Sequence, residues 1–305
     1  MGSNPIASFS NWCFVFVDKK SGNAVEQTIY SKKNPSRNLG DGTLIRKEWC
    51  NCILCSEKKD NLWETISTPP FPIEGEAHVW RVFLDWPIEE IRKGMTNLSE
   101  EEKARARRLV NHQHRYCYIA SHAALRAILT LYLPISPTPL RFRCNDYGKP
   151  YLLNYPALYF NLSNSHEVAL YAITTNREVG VDVEFIRDNI YIADVRERFF
   201  SPDEVAICVS KLPEKDSQCL KKFYQIWTLK EAYVKAIGQG LSFSLNRFTT
   251  AYIGINAGTS NRMLAGQWTL RSIPSVLGYT SALATEGPTE KIRYFSWFPA
   301  SAQSI

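Results

Sequence analysis

The stretch Val179-Gly180-Val181-Asp182-Val183-Glu184-Phe185 decides how the fold is read. Its strict alternation predicts a β-strand that sends Val181, Val183 and Phe185 into a core and projects Asp182 and Glu184 together from the opposite face. Two convergent carboxylates repel unless a cation joins them, and such hard oxygen ligands suit magnesium. Acids also alternate along the solvent face of ordinary strands, so the pattern alone is compatible with both readings.

Working outward from this strand, Ser201-Pro202-Asp203-Glu204 places a serine three residues before a glutamate, the signature of a helix start. A long helix is then predicted from about Gln218 to Ile237, ending before Gly238. The same order stands upstream. The run His78 to Asp85 is strand-like, Ser99-Glu100-Glu101-Glu102 repeats the helix-start signature, and a second long helix is expected from about Arg115 to Leu133. That helix brings Ile119, Ala123 and Ile128 near one face and is stopped by Pro134 and Pro137.

The repetition predicts an α+β fold of two related lobes, each with a long helix packed on a small, mainly antiparallel sheet, and with ligands near their interface. The expected division is an extension and Pro-rich linker over residues 1–77, an N-terminal lobe over 78–177, and a C-terminal lobe with the metal site over 178–300. The tail from Trp268 to Phe298 alternates like a strand region and is expected to complete the second sheet.

The length of 305 residues and 45% hydrophobic content suffice for two such cores. A formal charge of +6 suits anionic partners, either a phosphorylated ligand or an acidic protein. The sequence contains neither a long apolar run nor a basic start with an apolar core, so a cytoplasmic protein without a membrane span is expected. The eight cysteines are mostly isolated and read as reduced thiols; Cys50, Cys52 and Cys55 cluster, but no second pair follows to make a zinc site.

In Trp227-Thr228-Leu229-Lys230-Glu231-Ala232-Tyr233-Val234-Lys235, Glu231 and Lys235 stand four apart and share one helical face. Alone, the pair reads as a surface salt bridge, and Gly238-Gln239-Gly240-Leu241 as a helix cap and turn.

Taken together, Gly180 to Glu184, Phe200-Ser201 with Glu204, Trp227 to Lys235 and Gly238 to Leu241 resemble the paired signature of the 4′-phosphopantetheinyl transferases. The pseudo-dimeric, surfactin-synthetase-activating type is the nearer likeness, and Gly148-Lys149-Pro150-Tyr151 and Phe160-Asn161-Leu162-Ser163 with Ser165 also match that family's blocks. The resemblance spans about residues 78–245.

It implies transfer of phosphopantetheine from coenzyme A to a serine of an apo acyl or peptidyl carrier protein, with release of 3′,5′-ADP. It also implies Asp182, Glu184 and Glu231 as magnesium ligands, Lys235 as a phosphate contact that stabilises or protonates the leaving group, and Lys230 as a lesser contact of the same kind. Glu231, Glu184 and a bound water are all open as the general base. Arg105, Arg108, Arg115 and Lys149 are expected around the nucleotide phosphates, with hydroxyl contacts from Ser163 and Ser165.

The sequence departs from the family at Asn164, where a phosphate-contacting histidine is usual, so coenzyme A binding is expected to be weaker; His166 is expected on the same strand face. A monomer is expected, with no nucleic-acid partner. Two rival readings are a metal-dependent nuclease, which usually sets its Glu and Lys two apart on a strand, and a carrier-binding module without catalysis.

Overall fold

A computed structural model of the chain describes residues 62–137, 140–187, 192–209, 217–251, 262–264 and 267–299. Cys50, Cys52 and Cys55 lie outside these residues, whereas Cys117, Cys144 and Cys208 are free thiols.

In chain order the strands are β1 (Glu64–Thr65), β2 (Glu76–Phe83), β3 (Phe142–Cys144), β4 (Pro150–Leu152), β5 (Leu158–Ser165), β6 (Val168–Thr175), β7 (Val179–Phe185), β8 (Arg262–Leu264), β9 (Trp268–Ser272), β10 (Tyr279–Glu286) and β11 (Lys291–Ser296). The helices are α1 (Ile88–Asn97), α2 (Glu100–Arg108), α3 (His112–Thr130), α4 (Ile192–Phe199), α5 (Pro202–Val209) and α6 (Ser217–Ile237). The first sheet has the order β1-β11-β2-β6-β5 and the second β7-β10-β9-β8, while β3 and β4 form a separate hairpin. The α+β reading holds. The long helix α3 buries Ile119, Ala123 and Ile128 against Trp80, Phe160, Leu162 and Tyr171 of the first sheet, and α6 buries Leu229, Ala232 and Ala236 against Leu270, Ala282 and Ala284 of the second.

The tail does not finish the second sheet as expected. Strands β9 and β10 join it, but β11 crosses back and lies parallel to β2 and to β1 in the first sheet. The Pro-rich stretch is also more than a linker, because Trp63 is buried against Tyr294 and the Pro72 carbonyl accepts a bond from Thr175 Oγ1.

Both expected helix starts are capping boxes. Ser99 Oγ accepts the Glu102 N–H while Glu102 receives the Ser99 N–H, and Ser201 and Glu204 repeat the exchange. Each glutamate also takes a buried cation from its lobe's long helix: Arg126 Nε at 2.8 Å for Glu102 and Lys230 Nζ at 2.8 Å for Glu204. Each cation donates twice more to backbone carbonyls, Arg126 to Pro137 and Leu140 and Lys230 to Leu245 and Phe248. Each also lies over a phenylalanine ring, Phe142 or Phe248. One device thus recurs at α2–α3 and at α5–α6, and it ties the start of a short helix to the long helix and to the chain that follows it.

The two sheets meet where β5 and β7 lie side by side. The side chains of β5 take the place of a backbone ladder: Asn161 Oδ1 accepts the Val181 N–H at 2.9 Å, Ser163 Oγ the Val183 N–H at 3.4 Å, and Ser165 Oγ the Phe185 N–H at 3.1 Å. Strand donors that would otherwise be buried and unpaired are satisfied in this way.

Candidate active site

As expected from their alternation, Val181 and Val183 are core residues, whereas Asp182 and Glu184 project from the other face of β7. That face looks toward α6, and the approach is close because position 180 is glycine. A Cβ there would stand 2.0 Å from the Ala232 carbonyl oxygen and 2.4 Å from the Ala236 nitrogen, so only glycine lets the helix backbone rest on the strand. Glu231 and Lys235 are thereby carried to the two strand acids.

Both strand acids are essentially inaccessible to water, and Glu231 nearly so. Lys235 Nζ donates to Asp182 Oδ1 at 2.6 Å and to Ser163 Oγ at 2.8 Å. Ser163 Oγ in turn donates to Asp182 Oδ1 at 2.9 Å, and Ser165 Oγ donates to Glu184 Oε2 at 2.9 Å. The remaining oxygens, Asp182 Oδ2 and Glu184 Oε1, are buried without a hydrogen-bond partner. Burial raises the proton affinity of Glu184 well above the usual carboxylate range; the charge of Asp182 adds to this, and the Ser165 bond and Lys235 oppose it. Burial, followed by the charge of Asp182, pushes Glu231 up to about 7. The site therefore holds more acid than Lys235 alone neutralises.

This is an environment that favours an added cation. Among the described residues no group of three or more His, Cys, Asp or Glu side chains is placed so as to hold a metal ion. Magnesium does not need one, since it is commonly held by one or two carboxylates with substrate phosphate and water completing the shell. The all-oxygen donors and the two orphaned carboxylate oxygens fit that ion.

Several residues expected near a nucleotide are engaged elsewhere. Lys230 is fully buried, with its three donors directed at Glu204 and the Leu245 and Phe248 carbonyls, so it supports the lobe interior and has no donor left for a phosphate. Lys149 spends its donors on Glu178 and on the Val179 and Ala236 carbonyls. With Asn145, which donates to the Gly238 carbonyl at 2.9 Å, it fastens the β3–β4 hairpin to the C-terminus of α6. Gly238 ends that helix at φ 67, and its missing Cβ leaves room for Asn145.

Arg115 turns its Nε and Nη2 onto the Leu109 carbonyl, Arg105 lies 5.7 Å above the Tyr118 ring, and Arg108 is exposed at the end of α2. Asn164 is buried on the face of β5 opposite Ser163 and Ser165, the face that Phe160 and Leu162 present to α3. His166 does not share that face, because β5 ends at Ser165. It occupies the two-residue turn to β6 with φ 50, its ring against Phe185. A strand reading carried one residue too far, to His166, missed this turn; the His166-Glu167 pair lacks the usual Gly or Asn signal.

A sequence profile of the 4′-phosphopantetheinyl transferase superfamily matches residues 178–276, from β7 through α6 into the second sheet. The 4′-phosphopantetheinyl transferase HetI of a Nostoc species is 38% identical over 173 residues, which cover 56% of this chain and 72% of that protein. The enzyme Sfp of Bacillus subtilis is 27% identical over 173 residues, covering 56% and 75%, and gsp of Aneurinibacillus migulanus is 36% identical over 154 residues, covering 50% and 61%. With β7, α6 and their acids lying inside the matched region, the chain belongs to the 4′-phosphopantetheinyl transferase family.

Proposed function

We propose that this transferase moves 4′-phosphopantetheine from coenzyme A to a serine hydroxyl of an apo acyl or peptidyl carrier protein, with magnesium held by Asp182, Glu184 and Glu231. The observation that carries the reading is the pair of buried, unpartnered oxygens, Asp182 Oδ2 and Glu184 Oε1, set beside a helix that brings Glu231 and Lys235. The helical placement of Glu231 and Lys235 also favours this reading over a nuclease.

In the proposed reaction the serine oxygen bonds to the β-phosphorus of coenzyme A as the bond from that phosphorus to the bridging oxygen breaks, and 3′,5′-ADP leaves. Bound magnesium supplies neutralisation of charge on the phosphate oxygens. Lys235, already directed at Asp182, lies about one helical turn beyond Glu231 and is the cation suited to stabilise or protonate the leaving phosphate. Glu231, Glu184 and a bound water are the candidates for taking the serine proton. Arg105, Arg108 and Arg115 are the proposed contacts to the nucleotide phosphates. All these groups belong to one chain, so a monomer suffices.

Intact-mass analysis of an apo carrier protein incubated with the enzyme, coenzyme A and magnesium tests the reading. A phosphopantetheine mass gain is expected, and its near-complete loss with Glu231→Ala. An absence of gain across acyl and peptidyl carrier proteins would refute it.

A further inference from the structure

We propose that Thr280 belongs to the cation site as a positioning residue, its hydroxyl accepting a hydrogen bond from a water of the magnesium shell on the Glu184 side. This rests on the magnesium reading above.

Strand β10 runs antiparallel to β7 and pairs Thr280 with Glu184, Ala282 with Asp182 and Ala284 with Gly180. Directly opposed residues put their side chains on the same face, with Cβ atoms about 5 Å apart. Ala282 and Ala284 pack against Leu229, Ala232 and Ala236 of α6, so Thr280, two residues before Ala282, shares the helix side with the acids. Tyr279 lies on the other face, where its ring meets Phe185 at 5.1 Å. Of the three β10 residues set across from positions 180, 182 and 184, Thr280 alone carries a polar group.

Thr280 is 5% exposed, and among the described residues its Oγ1 has no hydrogen-bond partner. A hydroxyl has one proton to give and two lone pairs to accept with, and burying it unpaired costs stability. Valine would fill the same space without that cost. The residue paired with Thr280 carries another such atom, Glu184 Oε1. Two buried oxygens without partners, on residues directly across the ladder, fit a species that both of them serve. Magnesium gives up its waters reluctantly and commonly keeps several beside its carboxylates. A water on the ion turns a lone pair to the metal and has two protons that need acceptors. Thr280 Oγ1 is suited to take one of them. On the Asp182 side β10 offers only Ala282, so the hydroxyl serves the Glu184 side alone.

The test is Mn²⁺ binding to the metal-free protein, measured by electron paramagnetic resonance, together with melting temperatures without metal and the KM for coenzyme A at saturating magnesium. Thr280→Val is expected to weaken Mn²⁺ binding about 10-fold, the lower end of the usual effect of removing an outer partner of a metal site, with KM unchanged. Its metal-free melting temperature is expected to equal or exceed that of the wild type, because a buried unpaired hydroxyl is gone. Thr280→Ser restores the hydroxyl and should return most of the lost affinity. Thr285 is the control, buried in the same strand on the opposite face and bonded to Thr289. Thr285→Val is expected to lower the melting temperature and leave Mn²⁺ affinity at the wild-type value.

The proposal is overturned if Thr280→Val binds Mn²⁺ as tightly as the wild type, or if Thr280→Ser is as weak as the valine variant. It is equally overturned if losing the hydroxyl raises KM for coenzyme A, which would make Thr280 a phosphate contact. A wild-type protein that binds no Mn²⁺, with or without coenzyme A, would instead bring down the magnesium reading itself.

Discussion

His78 on β2 and His122 on α3 are both held neutral. Burial lowers each to about 4; His78 hydrogen-bonds Tyr132 through Nδ1, and His122 stacks on Tyr118 with Nδ1 directed at the Tyr118 carbonyl. Between about pH 4 and 6.5 the unfolded chain binds protons that the folded histidines refuse, so stability is complete above that window and falls as pH drops through it. Replacing the partly buried His122 by Asn should flatten the dependence of unfolding free energy on pH over this range, by an amount on the order of 2 kcal/mol; an unchanged slope would show that His122 does not contribute. The acids Asp182, Glu184 and Glu231 were legible in the sequence because strand and helix periodicities dictate which side chains share a face. The uses made of Lys149 and Lys230 were not legible, since a lysine's reach is longer than the spacing between elements and its acceptors, such as the Leu245 and Ala236 carbonyls, carry no sequence signature.

At the scale of elements, the site depends on the contact between β7 and α6. Gly180 permits that contact, and the Ala232 carbonyl and Ala236 nitrogen that would clash with a Cβ belong to the same helix as Glu231 and Lys235. A methyl at position 180 must therefore push the helix away from the strand and move both functional side chains. Gly180→Ala is expected to cost about 3 kcal/mol or more in denaturant unfolding and to lower kcat together with metal affinity; wild-type stability would mean that the helix has room to slide. The capping boxes at Ser99 and Ser201 were readable as local signals, because both partners lie three residues apart. Their extension to Arg126 and Lys230 joins residues from separate helices, which no local pattern specifies.

For the molecule as a whole, β11 makes the two sheets interdependent. The strand follows β10 of the second sheet directly, yet it pairs between β1 and β2 of the first. A chain ended before Lys291 would lose the partner of both strands and expose Phe295's place in the core beside Trp80. Such a truncation is expected to be insoluble or to lack cooperative unfolding, as is residues 62–177 expressed alone; a soluble, cooperatively melting fragment would contradict this. Residues 78–177, expected to form a lobe of their own, thus share their sheet with β11 from the later part of the chain. That sharing also explains why Trp63 and Pro72, in the segment read as a linker, are packed against the first sheet.

The sequence by itself determined which side chains of β7 and α6 share a face, where the two capped helices begin, and, through ordered motifs, the family. These follow from backbone periodicity and from capping groups a few residues apart, interactions whose partners are close along the chain. Only the tertiary structure decided which donors are already spent, which carboxylate oxygens are left open, and which sheet receives β11. Those outcomes depend on burial and on partners tens to hundreds of residues apart, where hydrogen-bond capacity is allotted by packing.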